Sequence, residues 1–491
     1  MSERSVVIAG GGPTGLMLAA ELALAKVDVV VLERRPTQEL AGSRAGGLHS
    51  RTIEILDQRG VAERFLEAGE TAQAAGFALN FLDMSDFPTR HPYALGLFQN
   101  QIERIMAEWV LELGVPIEYG QEAVGFSQDA GGVDVELADN VRLRAAYLVG
   151  CDGGRSRIRK AAGIEFPGWD ATTSALIAEL EMADEPQVGS VNDELGVRGM
   201  NVLADGKTVR VIVTDQQPGS AGDATMKELS EALITGYGTD FGIHSPIWVS
   251  RFTDSTRQAA SYRESRVLLA GDSAHIHYPT GGQGIQNGIQ DAVNLGWKLA
   301  EVIHGTASEE LLDTYQAERH PVTARTLKHT MAQTALMRPD STGRLEALRE
   351  TMAEALLMDE PRKHFAGLIS QLDIRYDFGE GHPLLGRRMP DLGLETTAGP
   401  LRVYTLLHEA RPVLVSLGEP DSIEVGAWAD RVRFVEGRYG GAWELPVFGE
   451  VTAPTAVLVR PDGHVAWVGE DGSDEGLTEA LAAWFGQPVP A

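Results

Sequence analysis

Three stretches of the sequence predict an α/β fold. The first is a β-branched apolar run (5–9), then GGGPTG, an apolar helix (16–25) and a second apolar run (27–32) that ends at Glu33. The second, LLAGDSAHIHYPTGGQGIQNG (268–288), is a short strand stopping at Gly271-Asp272, then a glycine-rich turn. After that turn Ile285, Ile289, Ala292, Val293, Leu299 and Ile303 recur at helical spacing, which predicts a buried helix of about five turns. The third, YLVGCDGGRSRIR (147–159), is a strand ending at Asp152-Gly153 before a helix that starts with arginines. Strands alternating with helices make a doubly wound sheet, and such sheets bind ligands beyond the carboxyl ends of their strands.

Size and composition bound the rest. A chain of 491 residues exceeds one typical domain. Its 43% hydrophobic content is ordinary for a globular protein, and no window is long and apolar enough to span a membrane. A net charge of −28 argues against nucleic acid or an anionic membrane as partner. The single cysteine, Cys151, excludes an internal disulfide and a cysteine-rich metal cage. With no basic, apolar leader before the first strand, the expected compartment is the cytoplasm.

The N-terminal glycines form G-x-G-x-x-G at Gly10, Gly12 and Gly15, between a strand and a helix, with Glu33 closing the unit. That context reads as a dinucleotide-binding βαβ unit: Gly10 turns the chain, Gly12 admits a pyrophosphate, Gly15 lets helix and strand pack, and Glu33 bonds ribose hydroxyls. Arg44 lies in a flexible basic loop (43–51), facing either a cofactor or solvent, and Arg51 there reads as a structural ion-pair partner. Gln99 stands before a helix (about 101–113), where its amide serves either a cofactor's polar edge or the helix cap. Four short strands between 116 and 148 read as a meander, and the arginines after Asp152 as a second place for phosphate charge. Cys151 reads as a small buried hydrophobe, and His275 and His277 as packing rather than metal ligands.

The expected organisation is a first part of the nucleotide domain (1–170), a β-rich substrate domain with few helical patterns (171–254), the second part of the nucleotide domain with a helical segment (255–380), and a C-terminal α/β module (390–491). Residues 381–386 read as a linker, 401–407 as a strand, and Asp462-Gly463-His464 as a hairpin turn.

Together these motifs resemble the class A flavoprotein monooxygenases, the single-component FAD hydroxylases of the para-hydroxybenzoate hydroxylase fold. Within that class the chain is most similar to actinomycete hydroxylases of aromatic polyketides and antibiotics, the angucycline and rifampicin monooxygenases among them. The resemblance implies a Rossmann-like FAD-binding domain, a β-rich substrate domain and a C-terminal thioredoxin-like domain, here without the cysteines of thiol chemistry. It implies FAD as cofactor, NAD(P)H as transient co-substrate, and O2, which gives a flavin C4a-hydroperoxide that hydroxylates a phenolic, polycyclic substrate. The implied FAD-binding set is Gly10, Gly12, Thr14, Gly15, Glu33, Arg34, Arg44, Gln99, Ala123, Asp152, Asp272, Pro279, Gly282, Gly284 and Ile285. Ala123 falls where the family closes its main chain over adenine, and Asp272 where it contacts the ribityl and pyrophosphate region. No residue is assigned as catalytic base. Baeyer–Villiger insertion, antibiotic inactivation and a non-catalytic FAD protein stay open as alternatives, as do monomer and homo-oligomer.

Overall fold

The computed structural model describes residues 4–215, 224–340, 342–419 and 423–487. Its central sheet carries five parallel strands in the order Ile117–Tyr119, Val29–Glu33, Arg4–Ala9, Arg142–Gly150 and Val267–Leu269. The inner strands are apolar and buried on both faces, as a parallel sheet covered by helices requires. Helix Pro13–Leu24 packs against helix Gln283–Ile303 beside the sheet. Three of the four expected meander strands form one, whereas Ile117–Tyr119 pairs parallel with Val29–Glu33 at the edge of the central sheet. Strand Arg142–Gly150 pairs antiparallel with Gly132–Leu137 through its first half and parallel with Arg4–Ala9 through its second. One strand therefore belongs to both.

The second sheet is antiparallel, in the order Gly189–Asp193, Gly196–Val202, Val209–Asp215, Ser174–Met182 and Ile243–Thr253. Strand alternation sends Leu176, Ala178 and Leu180 to one face, under helix Met226–Tyr237. The sequence reading missed this helix, although both its ends are signalled: a Thr225–Glu228 capping box and Gly238 at φ +77°. The opposite face carries Ile177 and Glu179 beside Arg210, which bonds the Arg44 carbonyl.

The C-terminal part builds a four-stranded sheet, Arg433–Glu436, Val413–Ser416, Ala456–Val459 and Val465–Gly469, with helix Leu477–Phe485 against it. Two expectations need correction. Residues 381–386 are no free linker, since Leu384 is fully buried and the Gly386 amide bonds Val465. Residues 401–407 are not one strand: Gly399–Arg402 pairs with Gly393–Thr396, and Val403–Leu407 is a 3-10 helix. Its buried residues Val403, Tyr404, Leu406 and Leu407 follow a helical rather than an alternating period. Among the described residues no helix is long and apolar enough to cross a membrane.

Candidate FAD site

The first two stretches converge on Thr14, and the third meets the first at Gly10, where a Cβ would stand 2.2 Å from the Cys151 carbonyl. A Cβ on Gly271 would stand 2.5 Å from Thr14 Oγ1, and one on Gly288 would stand 2.2 Å away. Only glycine lets the strand end, the first helix and the long helix approach so closely. The first turn is built the same way. Gly10 has φ +116°, and a Cβ on Gly15 would lie 2.0 Å from the Gly10 carbonyl. Gly12 differs, because a Cβ there meets nothing within 4 Å. Packing requires Gly10 and Gly15; the open side of Gly12 is left for something outside the protein.

Glu33 closes this turn. Its Oε2 accepts from the Gly11 amide at 2.8 Å and its Oε1 from the Arg35 amide at 2.8 Å. Burial pushes its carboxyl up, but the Arg35 main-chain and side-chain bonds, with Gly11, outweigh that and hold it below the usual range. Arg34 beside it is exposed. Main-chain bonds from Gly120 to Arg35 and from Gln121 to Glu33 bring buried Ala123 to this end.

The second turn ends in Gly281 and Gly282, both left-handed at φ +71° and +62°. They start helix Gln283–Ile303, which has no side-chain cap. Its positive end is therefore open, and Gly284 and Ile285 lie in its first turn. Pro279 is exposed on the way in. Around the turn, Thr280 Oγ1 and His277 Nε2 are buried with no hydrogen-bond partner among the described residues. The Asp272 carboxylate is exposed, with Oδ1 3.9 Å from where a Gly284 Cβ would stand. His49 Nε2 bonds the Gly281 carbonyl at 2.8 Å, and burial pulls the ring's pKa down, so neutral His49 donates here. Sequence reading did not assign His49; Gly281 becomes its partner only through folding.

Between the two turns the structure uses Asp152 internally. Its Oδ2 accepts from the Arg157 amide at 2.6 Å and the Ile158 amide at 3.2 Å, and its Oδ1 from Ser273 Oγ at 3.0 Å. Helix Arg157–Ala161 is thus capped by Asp152 and Ser156 and offers no open end for phosphate, contrary to the expectation. Asp152 instead sews its loop to the loop carrying Asp272. Gln99 is also engaged. It is the first residue of helix Gln99–Glu112, accepting from the Ala45 amide at 3.3 Å and donating to Glu103 at 2.8 Å. Phe98 holds the cap position, so Gln99 braces the loop that carries Arg44 rather than capping the helix. Arg44 donates to Ser250 Oγ, 3.1 Å away on the second sheet.

That sheet supplies residues the sequence left unassigned. Glu179 and Arg210 form a buried ion pair at 3.1 Å on the face opposite the sheet's helix. Arg210 also bonds the Arg44 carbonyl at 3.2 Å and lies 4.9 Å from the Phe98 ring centre. Phe252 meets Tyr278, just before the second turn, at 5.2 Å. Two charged residues at inward positions of apolar strands were a readable signal, but pairing them requires the register of the sheet. His275 is structural, bonding Asp291 at 2.6 Å; Asp291 also holds buried Arg319 at 2.8 Å.

An open glycine turn, an uncapped helix and unused buried polar atoms fit a ligand with a pyrophosphate and a flat polar ring. The family model "FAD binding domain" matches residues 3–330, and "Aromatic-ring hydroxylase, C-terminal" matches 382–488. The chain belongs to the FAD-dependent aromatic-ring hydroxylases. It is 46% identical to a rifampicin monooxygenase of Streptomyces venezuelae, covering 98% of each chain. It superposes on the anhydrotetracycline hydroxylase of Streptomyces rimosus with a TM-score of 0.91 at 43% identity, over 99% of this chain and 100% of that one. An aromatic hydroxylase from angucycline biosynthesis gives a TM-score of 0.91 at 40% identity, over 99% and 100%. Like other hydroxylases of this family, the protein is an FAD-dependent monooxygenase.

Proposed function

We propose that the protein hydroxylates a flat phenolic compound of the aromatic polyketide or antibiotic class, with NAD(P)H as reductant and O2 as oxygen source, in the cytoplasm. FAD, when bound, supplies the activation of O2. The chain's residues do the rest. Glu33 and the segment at Ala123 would hold the adenosine end, and the amides around Gly12 would approach the pyrophosphate. Asp272 would bond the polar chain between them. The open end of helix Gln283–Ile303, at Gly284 and Ile285, would oppose negative charge on the ring's pyrimidine edge without a mobile cation. Arg44, held by Ser250, would flank the ring, and the second sheet would keep water out.

The observation that carries the substrate reading is the Glu179–Arg210 pair, buried on a face shared with Phe98 and the Arg44 loop. It offers a charge-assisted donor and acceptor to a phenol hydroxyl beside aromatic walls. The three relatives support a polycyclic substrate, since their names specify a rifampicin, an anhydrotetracycline and an angucycline. The rifampicin relative also favours a second reading, in which the same chemistry inactivates an antibiotic.

The test is NADH and NADPH oxidation by the yellow protein in air, with polycyclic phenols and with rifampicin, and product mass as readout. Oxidation stimulated at least several-fold by a phenol, with one oxygen gained, is expected; product structure separates hydroxylation from ring insertion. Arg210→Gln should raise KM and leave FAD content unchanged. Peroxide as the sole product with every compound would sink the proposal.

A further inference from the structure

A cavity of about 360 Å³ lies outside the FAD site, between helix Ser50–Gln58 and loop 88–90 on one side and residues 388–392, Tyr404 and 439–446 on the other. That volume is within the range of small-molecule sites, about 300–1,000 Å³. Two of its acids, Glu54 and Asp391, are already neutralised, and Glu444 stands exposed at its rim. Glu54 pairs with Arg51, and Asp391 takes Arg90 and Arg402, each at 2.6 Å.

Arg388 is the exception. It is 5% exposed, and among the described residues no carboxylate lies within ion-pair distance of it. One nitrogen, Nη1, donates to Gln58 Oε1 at 3.1 Å and to the Asp462 carbonyl, and Nε is buried with no partner. The nearby Asp462 carboxylate is held by Arg460. Burial, then the neighbouring Arg51 charge, pull Arg388 down to about 10. Buried cations are ordinarily paired, and this one borders a cavity. Buried Tyr404 also lines the cavity. The other walls include Met389, Leu392, Tyr439 and Pro446.

We infer that this cavity is a second binding site, separate from the hydroxylation site, for a small aromatic carboxylate. Arg388 would take the carboxylate, Tyr404 would donate to it, and the apolar and tyrosine walls would cover the ring. A guanidinium lacking a counter-ion calls for the anion, and the apolar walls favour an organic anion over phosphate.

Calorimetric titration of the FAD-loaded full chain with 2-naphthoate tests this, with 2-naphthylmethanol as neutral analogue and inorganic phosphate as control. One saturable naphthoate site is expected, at least tenfold tighter than either control. Arg388→Gln should weaken it at least tenfold. If that variant does not fold, Ala442→Phe, which fills the cavity from its exposed rim, should do the same. Equal binding of the alcohol or of phosphate overturns the inference. So does naphthoate binding that persists in Ala442→Phe and shifts the flavin absorption band, which would place the ligand at the hydroxylation site.

Discussion

The two ends of helix Gln283–Ile303 treat buried polar groups in opposite ways. At its start the helix is uncapped, and Thr280 Oγ1 and His277 Nε2 are left without partners among the described residues. Further along, Asn294 donates to Glu318 at 2.6 Å, and Lys298 bonds Asn294 at 2.9 Å and Glu318 at 3.0 Å. Arg460, from the C-terminal sheet, joins Glu318 through two bonds of 2.8 Å and Asp462 at 2.5 Å, fully buried among Trp297, Phe378 and Trp484. Burial pulls Lys298 down to about 8, whereas Arg460 and Lys298 outweigh burial and hold Glu318 at about 2. One end keeps donors and acceptors for a ligand; the other uses them to fasten the C-terminal part.

The largest expected effect tests the joint. Arg460→Ala leaves Glu318 and Asp462 buried without their cation, and should cost about 3–5 kcal/mol in urea unfolding. An unfolding curve like the parent's would show that the joint does not hold the parts together. At the first turn, Gly15→Ala drives a Cβ into the Gly10 carbonyl and should lower both stability and FAD content. Gly12→Ala meets open space, so its apo form should melt with the parent while FAD binding weakens at least tenfold. If the two variants behave alike, the distinction between packed and open glycines fails. Asp272→Ala should likewise purify pale with normal apo stability, and a fully yellow, fully active variant would remove Asp272 from the site.

The smallest effect is in pH. Glu318 is lowered from 4.5 in the unfolded chain to about 2, so its contribution is present above about 4.5 and lost as pH falls toward 2. Glu318→Gln should therefore be less stable than the parent at pH 7, with the gap narrowing between pH 4.5 and 2 in melting experiments. A constant gap would mean that Glu318 is not the titrating group.

Local sequence carried much of the site. The glycine spacings and the residues beside them are dictated by turns and close approaches that no other residue satisfies, so Gly10, Gly15, Gly281 and Gly282 were legible as backbone devices. The apolar periodicity of 285–303 gave the helix, but only half of its surroundings. Gln286, Gln290, Asn294 and Lys298 stand off that apolar stripe and are buried all the same, because Gln286 meets Thr52, Gln290 meets Gln371, and Asn294 and Lys298 meet Glu318, which Arg460 holds. Asp462-Gly463-His464 is the expected hairpin turn between two strands, and Asp462 and His464 lie buried inside the joint.

The sequence by itself determined the α/β core, the two glycine turns and the carboxylates beside them, since those rest on backbone sterics and short-range spacing. Tertiary structure alone decided that Asp152 ties its loop to Ser273, that Gln99 braces a loop, that Arg44 reaches the second sheet, and that Glu179 faces Arg210. Each depends on a partner far along the chain, and a charge's role is set by the partner that folding brings to it.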